Sequence, residues 1–158
     1  MNKILSEDKY TFVFLSFFVA FILEFILWPK EFIIYRPTLL FLVLFYWLII
    51  SPCLIGIWVS FFLGIIVDFI QGYVLGINAL LFSIICYFLT YKEQLFRNIT
   101  LWQQILLVIL FTIVQNLVTF IIEYLFFDIF FSLKIFLNCV INGFIWPLLF
   151  LFFKKINC

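Results

Sequence analysis

Histidine is absent from this 158-residue chain, and charged residues make up only 11% of it. Cysteine occurs four times, at Cys53, Cys86, Cys139 and Cys158, without the CxxC spacing of zinc and redox sites. The sequence therefore predicts neither a metal centre nor a disulfide framework, and no cofactor. A formal net charge of +1 also gives no basic field that could hold a nucleic-acid backbone. Nucleic-acid binding is set aside.

Apolar residues are present in great excess. Hydrophobic residues account for 68% of the chain and aromatic residues for 24%, whereas about half of a soluble globular domain is apolar. The first apolar run follows Glu7 and Asp8 and ends at Trp28–Pro29, without the basic start and small-residue cleavage site of a signal peptide. We therefore predict an integral membrane protein that retains this run as its first span.

Charges, prolines and glycines divide the chain into apolar stretches, each close to the roughly 20 residues that cross a hydrocarbon core. The uncharged stretch from Pro37 to Val67 is too long for one crossing, so we expect a turn at Ser51–Pro52. The predicted fold is an all-α membrane protein with a single domain, 1–158. Its six transmembrane helices are expected at about 10–28, 37–52, 54–71, 77–91, 105–127 and 133–153.

The distribution of basic residues predicts the orientation, because Lys and Arg concentrate in cytoplasmic loops. With the N-terminus inside, six of the nine basic residues are cytoplasmic and three are outside. We therefore expect both termini in the cytoplasm and the protein in the bacterial inner membrane. The cytoplasmic set is Lys3, Lys9, Lys92, Arg97, Lys154 and Lys155, and the outer set is Lys30, Arg36 and Lys134.

Carboxylates within predicted spans are candidates for function, because an ionisable group inside a membrane costs a few kcal/mol. Glu24, Asp68 and Glu123 all fall in the outer half of the membrane, and Asn142 enters from the same side. One hypothesis is that these groups converge on an outward-facing polar cavity or a polar packing core. The alternative is that each reaches the lipid headgroups independently.

Small residues follow one ridge of the third span. Gly64, Asp68, Gly72 and Gly76 are spaced four apart, which favours close approach of a neighbouring helix around a polar residue. Generic small-residue packing is the alternative. Arg36, at the outer end of the second span, is the candidate partner of Asp68.

A second pattern lies in the sixth span, where Asn142-Gly143 is followed by Trp146-Pro147. Because proline removes a backbone donor and clashes with the carbonyl four residues earlier, Pro147 predicts a bend. We rate a structural kink above a binding role.

Four segments of the chain form a more specific pattern: Arg36–Pro37 before a span ending in Tyr46–Trp47, the glycine ridge, the stretch YKEQLFRNITLWQQ, and the closing NGFIWPLLFLFFKK. Together they resemble the MreD family of rod shape-determining proteins. The resemblance covers nearly the whole chain and is closest to the proteobacterial members.

The resemblance implies a non-enzymatic subunit of the rod complex, or elongasome. Implied partners are MreC, the wall synthases RodA and penicillin-binding protein 2, and indirectly the MreB filaments, with a homodimer as a further option. Candidate cytoplasmic loop contacts are Lys92, Arg97 and Trp102. The family is also similar in fold to the S components of energy-coupling-factor transporters, a likeness of fold alone.

A solute-binding subunit and an intramembrane enzyme are the alternatives to a rod-complex subunit. A small-solute binding or transport subunit is motivated by Glu24, Asp68, Glu123 and Asn142, which face one side of the membrane. An intramembrane enzyme is disfavoured, because Asp68 has no second aspartate at matching depth and the serines have no adjacent base.

Overall fold

The computed structural model describes residues 2–26, 37–72, 75–127 and 135–157. These residues form helices joined by turns, and no strand occurs among them, so the all-helical prediction is confirmed. The described α-helices are α1 (Asn2–Ile26), α2 (Leu39–Ile50), α3 (Ile57–Gln71), α4 (Ile77–Tyr91), α5 (Glu93–Arg97), α6 (Leu101–Phe127) and α7 (Ile135–Asn157), with a 3₁₀ turn at Pro52–Leu54.

Helix α2 lies at the centre of the fold. Its sequence is apolar on every face, and every residue from Leu40 to Ile49 is buried. A helix that is hydrophobic all round requires an apolar environment on all sides. Here α1, α4 and α7 supply it by packing around α2, while α3 pairs with α4 and α6 with α7.

The helix boundaries follow local chemistry. Helix α2 ends at Ile50, directly before Ser51–Pro52, and the chain then passes through the 3₁₀ turn into α3. Helix α6 begins at Leu101, about four residues before the predicted span. Its start is capped by Gln103, whose side-chain oxygen accepts a hydrogen bond from the backbone N–H of Thr100 at 3.0 Å. This is half of a capping box.

Large apolar side chains cover the outside of the described helices. Phe14 on α1, Trp58 on α3 and Phe144 on α7 are 74%, 77% and 74% exposed. Such a surface is unusual for a soluble protein. Among the described residues, two stretches are long and apolar enough to cross a membrane, Leu101–Phe126 and Leu137–Lys155, and only 22% and 28% of them are buried.

Helices α2, α3 and α4 are apolar but shorter, with 12, 15 and 15 residues. At 1.5 Å per residue they extend roughly 18 to 22 Å, less than a hydrocarbon core of about 30 Å. The number of crossings therefore stays a prediction.

Candidate functional site

The N-terminus of central helix α2 receives a carboxylate from α1. Glu24 is 1% exposed, and its Oε2 accepts a hydrogen bond from the backbone N–H of Leu40 at 3.0 Å. The first N–H groups of a helix have no partner within the helix, and the helix dipole favours negative charge at this end. Glu24 thus caps α2 from a neighbouring helix.

Asn142 of α7 binds the same end of α2. Its Oδ1 accepts from the backbone N–H of Thr38 at 3.2 Å, and its Nδ2 donates to the hydroxyl of Thr38 at 3.0 Å. The same Nδ2 lies 3.5 Å from the hydroxyl of Thr112 on α6. Two predicted polar residues, Glu24 and Asn142, are therefore brought to one helix end, where they join α1, α2, α6 and α7.

Asp68 of α3 caps the N-terminus of α4 in the same way. It is fully buried, and its Oδ2 accepts from the backbone N–H of Gly76 at 2.8 Å while its Oδ1 accepts from that of Asn78 at 3.1 Å. Gly76 directly precedes α4 and Asn78 lies in its first turn, where N–H groups need an outside acceptor. The carboxylate of α3 therefore closes the turn between α3 and α4.

Asn78 extends this contact to a third helix. Its Nδ2 donates to Oε1 of Gln71 at 3.2 Å, and its Oδ1 accepts from Nε2 of Gln115 on α6 at 2.6 Å. Gln115 and Thr112 are three residues apart and share one face of α6. Helix α6 therefore contacts both polar groups, the one at the start of α2 and the one at the start of α4.

The glycine ridge separates into two kinds of position. A Cβ at Gly64 would overlap the backbone of Ala79 and lie 2.6 Å from the carbonyl oxygen of Asn78, so α3 and α4 meet backbone to backbone there. The neighbour at Gly64 is thus a helix of the same chain. Gly72 and Gly76 have no heavy atom within 4 Å of such a Cβ, but their φ angles are +71° and +104°. At these two positions glycine is favoured by the left-handed backbone conformation and not by close approach of a helix.

The Trp146–Pro147 pair lies within α7, which continues through Pro147 to Asn157. Trp146 is fully buried with its ring centroid 5.1 Å from that of Phe45, and its Nε1 has no acceptor among the described residues. One turn earlier, a Cβ at Gly143 would lie 2.9 Å from Cδ1 of Ile109, so α6 and α7 pack closely at this level.

The other predicted residues lie apart from these contacts or outside the described part. Arg36 lies outside the described residues, as do the side chains of Glu123 and Arg97. Lys92 is exposed at the end of α4, and Trp102 is 78% exposed at the start of α6.

Five polar residues of the site were missed by the sequence reasoning: Thr38, Gln71, Asn78, Thr112 and Gln115. A weak signal was present, since Thr112 and Gln115 place polar side chains three residues apart on one face of a mostly apolar helix. Thr38 and Asn78 lie at helix starts, where polar side chains often bind backbone groups.

The sequence matches the family model described as rod shape-determining protein MreD over residues 7–156. The chain belongs to the MreD family. It is 40% identical over 147 residues to the rod shape-determining protein MreD of Haemophilus influenzae, and the alignment covers 92% of this chain and 91% of that protein. No solved structure matches it. Membership of the MreD family supports a role in cell shape.

Proposed function

We propose that this protein is a non-enzymatic subunit of the rod complex in the bacterial inner membrane, where it helps to direct lateral wall synthesis. The observation that carries the proposal is the family match over 7–156, nearly the full chain. We place the chain in the membrane as one domain with six spans, an S-component-like fold and cytoplasmic termini. The exposed apolar surface of α1, α3 and α7 supports contact with lipid.

The buried polar side chains form hydrogen bonds within the chain, which favours a role as a scaffold. Glu24 and Asp68 hold the N-termini of α2 and α4, and Asn142 holds Thr38. Buried polar groups without partners cost several kcal/mol in an apolar medium, roughly 2–7. The hydrogen bonds therefore stabilise one packing of the short helices, and partner proteins would meet the outer faces of a fixed helical body.

The proposed partners are MreC, RodA and penicillin-binding protein 2, with MreB contacted indirectly, and a homodimer is a further arrangement. Lys92, Arg97 and Trp102 would form the cytoplasmic contact, because Lys92 and Trp102 are exposed at the two ends of the loop that contains α5. The contact at Gly64 lies against the chain's own α4, so Gly64 would influence partner binding through the shape of the α3–α4 pair.

The internal hydrogen bonds weigh against the alternative of a solute-binding subunit. It was motivated by polar groups facing a cavity, whereas Glu24, Asp68 and Asn142 each make hydrogen bonds within the chain. Two apolar grooves beside α1 are lined without a carboxylate.

Complementation in a rod-shaped host that lacks its own MreD tests the proposal. Expression of this chain should restore rods from spheres, and tagged chain should co-purify with MreC. A control chain with Asp68→Ala separates specific rescue from overexpression effects. Host cells that regain a specific nutrient uptake but stay round would transfer the assignment to solute transport.

A further inference from the structure

An open apolar groove of about 490 Å³ runs between α1 and α7, with α2 as its floor. Val19 and Leu23 of α1 line one wall, and Ile145, Leu148 and Phe152 of α7 line the other. Ser16 also lines the groove, but its hydroxyl already accepts a hydrogen bond from Nε1 of Trp47 and donates one to the carbonyl of Val13. The groove therefore suits an apolar occupant.

The length of the groove distinguishes between two apolar occupants. Its α7 wall runs from Ile145 to Phe153, nine residues whose eight steps extend about 12 Å along the helix. One leaflet of a hydrocarbon core is about 15 Å deep, half of its total of about 30 Å. A lipid acyl chain matches this length, whereas a crossing helix of a partner would need a groove about twice as long.

Basic side chains stand at one end of the groove. The wall of α7 continues at helical spacing from Leu148 and Phe152 to Lys155, with Lys154 beside it, and both lysines are exposed. The wall of α1 continues in the same direction to Lys9, which is also exposed.

The two helices meet at this end, because the ring centroids of Phe12 and Phe153 are 6.5 Å apart. Glu7 and Asp8 precede Lys9 on α1, so α7 supplies the excess of positive charge.

We propose that the groove and the lysines at its end form a binding site for an anionic phospholipid. The acyl chain lies in the groove between α1 and α7, and the phosphate of the headgroup is bound by Lys154 and Lys155. Basic groups beside a crevice between membrane helices favour anionic headgroups over zwitterionic ones. The inference rests on the membrane placement of α1 and α7 proposed above and adds a ligand that a role in cell shape does not require.

Lipid titration of the purified full chain in detergent, followed by native mass spectrometry, tests whether Lys154 and Lys155 select an anionic headgroup. Phosphatidylglycerol should bind more tightly than phosphatidylcholine. The double substitution Lys154→Gln/Lys155→Gln should weaken phosphatidylglycerol binding roughly tenfold or more. It should weaken phosphatidylcholine binding much less, because the choline cation of that headgroup already opposes the lysines. The control is Lys92→Gln, an exposed lysine that does not line the groove, which should bind both lipids as the unaltered chain does. Equal affinity for phosphatidylglycerol in the double variant and the control overturns the proposal.

A groove-filling substitution tests the acyl chain. Leu148 lines the groove and is 70% exposed, so Leu148→Trp places its ring where the chain would lie without disturbing the core. Binding of both lipids should fall. Leu151→Trp is the control, since Leu151 is 56% exposed on the same helix but does not line the groove. Unchanged binding in Leu148→Trp would show that the lipid lies elsewhere.

Photo-crosslinking from position 19, which lines the groove, in whole membranes shows whether the occupant is a lipid or a protein. Recovery of phospholipid supports the proposal, and recovery of a partner's helix in its place overturns it. If the unaltered chain restores rod shape but does not prefer phosphatidylglycerol, the lipid site alone is rejected. Intact lipid binding without restored shape would reject the proposed function alone.

Discussion

The carboxylate of Glu24 on α1 accepts a hydrogen bond from the backbone N–H of Leu40 at 3.0 Å, and so caps the central helix α2 from outside. Water could not replace the carboxylate as the acceptor, because α2 is buried from Leu40 to Ile49.

Glu24→Ala should therefore destabilise the protein. Removal of the acceptor leaves a buried donor unpaired, at a cost of about 1–3 kcal/mol. Glu24→Gln keeps one carbonyl oxygen and should lose less. Thermal unfolding of the purified chain in detergent measures both, with Glu93→Ala in the short helix α5 as the control. Equal melting temperatures for Glu24→Ala and the control would contradict the capping role.

Asp68 offers a sharper test of charge, because its two oxygens serve two donors. Asp68→Asn preserves shape but supplies one carbonyl oxygen and one NH₂ group, so one of the N–H groups of Gly76 and Asn78 would face another donor. We expect a loss of about 1–3 kcal/mol and weakened rescue of rod shape. The measurements are unfolding and complementation. A fully stable and active Asp68→Asn would show that the carboxylate is not required.

The glycines of the ridge should respond differently to the same kind of change. Gly64→Ala places a methyl group against the backbone of Ala79 and should separate α3 from α4, reducing stability and co-purification with MreC. Gly72 needs only its positive φ, so Gly72→Asn should be mild, because asparagine tolerates the left-handed conformation. Ile65→Leu, one residue off the ridge, is the control. If Gly64→Ala matches this control in stability and in MreC recovery, the close contact is unimportant.

Sequence reasoning predicted the helical class because apolar composition and the spacing of charges and prolines are properties of the chain itself. It did not predict which helix would be central. Helix α2 is apolar on all faces, and such a helix has the same sequence pattern whether lipid or protein surrounds it. Helix α6 begins at Leu101, before the predicted span at 105, and Thr100 and Gln103 carry the spacing of a capping box at this start.

The candidate site was predictable in part for a related reason. Buried Glu24, Asp68 and Asn142 stand out because a polar residue in an apolar segment must find a partner. Their partners are backbone N–H groups at the starts of α2 and α4. Backbone donors leave no trace in a sequence, so a cavity and a helix cap could not be told apart. Glycine occurs at positions 64 and 72 for different physical reasons: close approach of α4 at Gly64 and a positive φ angle at Gly72.

The proposed orientation predicts the response of reporter fusions. A reporter that is active only outside the cytoplasm should be silent after Cys158 and active when inserted between residues 30 and 35. The reason is the excess of Lys and Arg on the side of the termini. A fusion in the connection between α4 and α6, from Lys92 to Thr100, should be silent and serves as an internal control. The reverse pattern would place both termini outside.

The bond between Asn78 and Gln115 should couple α4 to α6 energetically. Nε2 of Gln115 lies 2.6 Å from Oδ1 of Asn78, and both side chains are buried. A double-mutant cycle with Asn78→Ala and Gln115→Ala isolates this contact from the cavities that each substitution creates. Side-chain hydrogen bonds between membrane helices average about 0.6 kcal/mol in such cycles and reach about 1.7, so we expect a coupling in this range. The control cycle pairs Asn78→Ala with Thr112→Val, because Thr112 lies one turn away on α6 and binds Val108 and Asn142 instead. Unfolding free energies of the four chains in each cycle give the coupling. The prediction fails if the Asn78–Gln115 pair is as additive as the control.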